Sequence, residues 1–189
     1  RSPRRPGVTA PPAHRNALWA RAVVDELIRG GAAHACLSPG SRSAPLALAI
    51  AERADVVGDL SLSVHVDERA AAFFALGRAR ASGLPVILAC TSGSAGAHYL
   101  PAVIEAHYSR VPLVILTADR PPELRGIGAW QTIDQMALFR PHVKWAKAVR
   151  RVRDLAPAVE QAFAVAQEGT PAPVFVECPL AALYGDGVL

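Results

Sequence analysis

No run in this sequence is long and apolar enough to span a bilayer, although hydrophobic residues make up 51% of the chain. Cysteine is scarce: Cys36, Cys90 and Cys178 are odd in number and form no close pair, which argues against a disulfide framework or a cysteine-based metal knuckle. Each lies in or beside an apolar run, where it serves as a small core residue, and a reducing, cytoplasmic compartment is the expectation. The six histidines show no H-x-x-x-H or H-E-x-x-H spacing, so no zinc site held by this chain is expected. Acidic residues are missing from the first fifteen positions, which carry Arg1, Arg4, Arg5 and Arg15. These four arginines equal the whole formal charge of +4, so residues 16–189 sum to zero. A Pro-rich basic leader ahead of a neutral domain is not the basic face of a nucleic-acid binder. Neither nucleic acid nor a membrane span is expected.

What is present is an alternation. Charged residues are 19% of the 189, too few for a disordered chain, and the length suits one domain with a sizeable core. Leu18, Ala22, Val23 and Leu27 recur at helical spacing after Asn16, a candidate cap, and Gly30 and Gly31 end the helix. Strands are expected over 33–37, 61–66, 85–90, 112–118, 143–149 and 173–179. Helices are expected up to about Arg53, over 67–82 with Asp67 as cap, up to about Arg110, and over 154–169. Continuous apolar strands such as "PVILAC" fit a sheet covered on both faces. The expected fold is α/β: one doubly wound, roughly six-stranded parallel sheet with helices on both faces. The leader covers 1–15, the domain 16–182 and a tail 183–189.

In open parallel sheets ligands bind beyond the carboxyl ends of the strands. Four segments leave strands there: "SPGSRS" (38–43), "DER" (67–69), "TSGSAG" (91–96) and the long "DRPPELRGIGAWQTIDQ" (119–135). They bring hydroxyls, helix-start amides, Arg42, Arg120, Arg125 and the carboxylate Glu68 to one edge, a set suited to an anionic organic ligand. Taken singly the pieces are ambiguous. "TSGSAG" has neither the G-x-x-x-x-G-K-[ST] nor the G-x-G-x-x-G spacing of phosphate loops, and "SPGSRS" can be a plain turn. Glu68 alone can be a first-turn carboxylate favoured by the helix dipole. It stands at the start of a helix of Ala, Phe and Leu, so its expected place is against a buried surface, where an unpaired charge is costly.

The order "SPGSRSAPLALA", "DERAAAFFALG", "TSGSAGAHYLPAVIEA", "VPLVILTADRPPEL" and "GAWQTIDQ" resembles the amino-terminal, pyrimidine-binding domain of the MenD family, the 2-succinyl-5-enolpyruvyl-6-hydroxy-3-cyclohexene-1-carboxylate synthases. The likeness covers about residues 16–180. It implies a thiamine-diphosphate enzyme of menaquinone biosynthesis that joins decarboxylated 2-oxoglutarate to isochorismate. It also implies that Glu68 activates the cofactor at its pyrimidine ring, and that Thr91, Ser92 and Gly93 help bind it. Ser41, Arg42 and Arg120 match substrate-binding positions, and Gln131 a catalytic one. Two positions depart from the family, which often has Asn where Trp130 and His98 stand. Trp130 bears on the shape of the isochorismate pocket, and His98 on helix packing.

In this family the diphosphate and its magnesium ion are held by a second, diphosphate-binding domain, so no metal ligand is expected here. Gly185-Asp186-Gly187 is taken as a tail turn. Shared active sites imply a homo-oligomer, a dimer or tetramer. Two other readings stay open: an acetolactate-synthase-like relative, suggested by "PVFVECPLAALY", and a non-catalytic α/β module.

Overall fold

The computed structural model describes residues 15–178. The leader and the tail with its Gly-Asp-Gly triplet lie outside the described residues, apart from Arg15.

Helix α1 (Arg15–Arg29) is followed by β1 (His34–Leu37), α2 (Ala44–Glu52), β2 (Ser61–Val64) and α3 (Glu68–Ser82). Then come β3 (Val86–Cys90), α4 (Ser94–Ala97), α5 (Leu100–Ser109) and β4 (Leu113–Ala118). The remainder is α6 (Gln135–Phe139), β5 (Trp145–Ala148), α7 (Leu155–Gln167) and β6 (Val174–Cys178). The six strands form one sheet in the order β2-β1-β3-β4-β6-β5, and every pairing is parallel. The expected doubly wound fold is therefore the observed one.

Two-residue periodicity divides the core between the faces of the sheet. Ile87, Ala89, Val114, Leu116, Val174 and Val176 meet Val24, Leu27, Ile50, Val159 and Phe163 of α1, α2 and α7. Leu88, Cys90, Leu113, Ile115 and Phe175 meet Ala72, Ala75, Tyr99, Val103 and Phe139 on the other face. Alanine is abundant where α3 and α5 cross the sheet: Ala71, Ala72, Ala75, Ala79, Ala102 and Ala106 are fully buried, which lets these helices approach closely. All three cysteines are buried and free, and burial raises each thiol's pKa, that of Cys36 to about 12. They are core residues, as the apolar runs around them predict.

Some local expectations needed correction. Asn16 lies within α1 rather than ahead of it. The helix after "TSG" is two, α4 and α5, because Pro101 stands in the first turn of α5 and cannot continue a preceding helix. The segment 119–135, expected to be irregular, holds a short 3-10 turn at Pro122–Leu124 and ends in the unexpected α6.

Candidate functional site

The strand order sets where a ligand can enter. From β1 the chain moves outward to the edge strand β2, then returns past β1 to β3 on the other side. The β1 and β3 carboxyl ends therefore flank a topological switch point, where doubly wound sheets open a crevice. The loops bordering it are 38–43 and 91–93.

Gly40 and Thr91 bring these two loops together. A Cβ on Gly40 would lie 2.6 Å from the Thr91 Cβ, so only glycine permits this approach. The next residues form a tight turn, Ser41–Ser43, held by the Ser43 hydroxyl, which donates to the Gly40 carbonyl at 3.1 Å. Ser41 is exposed on this turn and Arg42 is partly buried. Arg42 reaches across the crevice: its Nε donates to Ser92 Oγ at 2.5 Å and its Nη2 to Gln131 Oε1 at 2.7 Å.

The third wall comes from the segment after β4. Arg120 Nη2 donates to the Trp130 carbonyl at 2.6 Å, and the Arg120 amide donates to Asp119 Oδ1 at 2.7 Å. Arg125 braces the loop through an ion pair with Asp119 at 2.5 Å and a bond from its Nε to the Arg120 carbonyl at 2.9 Å. Burial, and then the positive charge of Arg120, lower the pKa of Arg42. Two guanidinium groups thus face one crevice, with Arg120 Nε buried and lacking a hydrogen-bond partner. Such a pair favours a multiply carboxylated ligand, whose charge would relieve the repulsion. Arg42, Ser92, Gly93, Arg120 and Gln131 meet here, and Ser41 stands exposed on the turn that carries Arg42.

Glu68 occupies a separate place along the same edge. Asp67 caps α3, its Oδ1 accepting from the Ala70 amide at 3.1 Å, and this bond lowers the Asp67 pKa. The cap frees Glu68 from that duty. Glu68 is only partly buried, so it escapes the full desolvation expected of it, and among the described residues its carboxylate has no hydrogen-bond or ion-pair partner. Burial raises the pKa values of Cys90 and Tyr99 nearby, and the Glu68 charge adds a smaller push in the same direction. Ser38 Oγ, Thr91 Oγ1 and Tyr99 Oη are buried at this edge without a well-formed hydrogen bond, Tyr99 having Ser38 and the Cys90 thiol as its polar neighbours. No hydrogen bond joins Glu68 to the arginine cluster among the described residues.

The two departures from the family pattern behave differently. Trp130 is 89% exposed, and its carbonyl rather than its ring serves Arg120. His98 is exposed beside α4, so it does not act in helix packing.

Sequence reasoning missed two features. Gln135, 1% exposed, bonds the start of α4 to the end of β4. Asp119 and Glu177, each 5% exposed, face one another at the ends of β4 and β6. Burial, then the Asp119 charge, push the Glu177 carboxyl up to about 7, and burial raises Asp119 as well. The signal was available: an acid inside "PVFVECP" and another closing "PLVILTAD" interrupt otherwise apolar strands. Both acids line a cavity of about 960 Å³, with Arg125, Lys147 and Arg150 around it.

A carboxylate near unsatisfied hydroxyls, beside a cationic crevice, invites comparison with known domains. Residues 19–138 match the model of a family described as thiamine pyrophosphate enzyme, N-terminal TPP binding domain. The chain belongs to this family. Its curated relatives include 2-succinyl-5-enolpyruvyl-6-hydroxy-3-cyclohexene-1-carboxylate synthases. That of Haloarcula marismortui is 49% identical over 178 residues, covering 90% of this chain and 29% of the relative. That of Geobacillus thermodenitrificans is 49% identical over 174 residues, covering 87% and 29%. That of Bacillus pumilus is 57% identical over 124 residues, covering 65% and 20%. The chain thus spans less than a third of the length of these relatives.

The described residues fit thiamine pyrophosphate at its aminopyrimidine end. An unpartnered carboxylate and buried hydroxyls without well-formed hydrogen bonds are the donor and acceptor set that a flat, polar heterocycle needs. No cluster of His, Cys, Asp or Glu able to hold a metal ion occurs among the described residues. Nor is any described helix long and apolar enough to cross a membrane.

Proposed function

We propose that this chain is the pyrimidine-binding domain, residues 16–182, of a thiamine-diphosphate-dependent synthase that adds the decarboxylated 2-oxoglutarate unit to isochorismate in menaquinone biosynthesis. The observation that carries the reading is the meeting of Arg42 and Arg120 at the switch-point crevice, together with Ser92 and Gln131 and along the same edge as an unpartnered Glu68. The names of the relatives support the same activity.

When bound, thiamine diphosphate would supply a nucleophilic thiazolium carbon and, in the same ring, an electron sink for decarboxylation. Glu68 has the narrower task of holding a proton at the pyrimidine ring nitrogen, which favours the imino form of the aminopyrimidine. Its partial exposure leaves the carboxylate accessible until a ligand covers it. Ser92, Thr91 and Gly93 border the cofactor side of the crevice. Arg42 and Arg120 orient the carboxylates of the substrates, with Ser41 beside them. Gln131 lies within reach of the same carboxylates and shares Arg42 with them. The exposed ring of Trp130 shapes the isochorismate side.

The diphosphate and magnesium ion belong on a diphosphate-binding domain, paired with this one in a dimer or tetramer in the cytoplasm. The bounds 16–182 are part of this proposal, and α1 already takes in Arg15. An acetolactate-synthase-like reaction is the alternative, and one experiment separates the two. The complete protein, given thiamine diphosphate, magnesium, 2-oxoglutarate and isochorismate, should form the carboxylated adduct with release of carbon dioxide. Product from pyruvate alone, with isochorismate unused, would favour the alternative.

A further inference from the structure

The geometry points to Gln135 as the positioning residue that sets Gln131 against Arg42, and with it the carboxylate end of the acceptor site; the functional side of this inference rests on the reading above. Gln135 is the first residue of α6, whose N-terminus is capped by Asp134: the Asp134 Oδ1 accepts from the Ala137 amide at 2.8 Å. Because Asp134 takes the capping role, the Gln135 side chain is free to turn inward, where it is 1% exposed.

Both ends of its amide are used. Gln135 Oε1 accepts from the Gly93 amide at 3.2 Å, and Nε2 donates to the Ala118 carbonyl at 3.0 Å. Ala118 is the last residue of β4, and Gly93 follows β3 in the "TSG" loop. One side chain therefore ties the loop after β3 and the end of β4 to α6. Its surroundings leave little freedom, since a Cβ on Gly96 would lie 3.3 Å from Gln135 Oε1.

Four residues earlier the same segment crosses Gly93 from the other side. The Gln131 backbone lies so close to Gly93 that a Cβ there would come 2.0 Å from the Gln131 carbonyl oxygen. Gln131 itself has φ +56, a left-handed conformation that a long side chain adopts only when its surroundings impose it. Residues 131–135 thus grip Gly93 between a backbone crossing and a buried amide. Removing the amide releases one side of the grip, and Gln131 loses the anchor that presents its Oε1 to Arg42. Gln135 itself is buried beneath the crevice and reaches substrate only through Gly93 and Gln131.

The test compares wild type with Gln135→Met, which keeps the length and loses both bonds, and with Gln135→Asn, which keeps the amide on a shorter stem. Hydrogen exchange on the full chain should show faster amides over 128–134 and at Gly93 in both variants, with the amides of β3 and β4 unchanged. In the complete enzyme, KM for the carboxylated acceptor should rise about tenfold, well beyond any change in thiamine diphosphate affinity. Unchanged exchange over 128–134, or an unchanged acceptor KM, would overturn the assignment. Equal loss of core protection and of cofactor affinity in both variants would make Gln135 a general fold residue and would also overturn it. If the wild-type enzyme leaves isochorismate unused, the proposed reaction fails, and the exchange comparison still decides whether Gln135 sets the loop.

Discussion

The carbonyl of Gln131 rests against the Cα of Gly93, leaving no room for a side chain there: a Cβ would sit 2.0 Å from the Gln131 oxygen. Gly93 also has φ +73, a region that other residues occupy only with strain. This contact joins the loop after β3 to the loop after β4, and it holds Gln131 where Arg42 can reach it.

Gly93→Ala should therefore separate the two loops. The backbone cannot give as a flexible side chain would, so overpacking and the positive φ should together cost about 2–4 kcal/mol. Urea denaturation of the chain would read the loss. Hydrogen exchange should place the damage at 91–93 and 128–133, with the interior strands still protected.

Arg42→Ala removes the bond to Ser92 and the contact with Gln131. In the complete enzyme it should impair use of the carboxylated substrates more than cofactor binding. A charge-assisted hydrogen bond contributes about 1.5–3 kcal/mol, so kcat/KM should fall about ten- to a hundredfold. Steady-state kinetics beside a calorimetric cofactor titration would check both halves. Lost cofactor affinity with intact substrate use would count against placing Arg42 at the substrate.

Much of this arrangement was legible beforehand. Alternating apolar runs dictated the parallel sheet, and the family resemblance of the motifs led to Arg42, Ser92, Gly93, Arg120 and Gln131, which the fold brings together, and to Ser41 on the same turn as Arg42. Asp67 was readable as a cap because an acid directly preceded the helical pattern. Helix α6 was not, because five residues are too few to show a helical period. The partnership of Gln135 with Gly93 was also hidden. It joins residues 42 apart in the chain and depends on which strands become neighbours. The degree of burial of Glu68 was overestimated for a related reason: the apolar pattern of α3 describes its inward face, whereas the first turn stands at the rim of the sheet.

The Asp119–Glu177 pair makes a pH prediction. Glu177 is raised from 4.5 to about 7, so folding takes up a proton between those values. A carboxyl raised in this direction contributes stability that is fully present below its unfolded value and lost as pH rises through its folded value. The wild-type urea midpoint should therefore carry a falling component between about pH 4.5 and 7 that Glu177→Gln removes. Parallel midpoint curves for the two proteins over that range would show that Glu177 is ionised in the fold.

Glu68→Gln tests the central claim most directly. Glutamine keeps the volume of the side chain and can still hydrogen-bond a pyrimidine nitrogen, so fold and most cofactor affinity should persist. It cannot hold the proton that favours the imino form, and general acid–base help of this kind is worth about 10²–10⁴-fold. Exchange of the cofactor's thiazolium proton for deuterium on the complete protein, read by NMR after rapid quenching, follows that step without needing turnover. The account predicts exchange slowed about 10²–10⁴-fold in the variant at nearly unchanged cofactor affinity. Exchange at the wild-type rate would contradict it and leave Glu68 a helix-start carboxylate, with an effect on stability of at most about 1 kcal/mol.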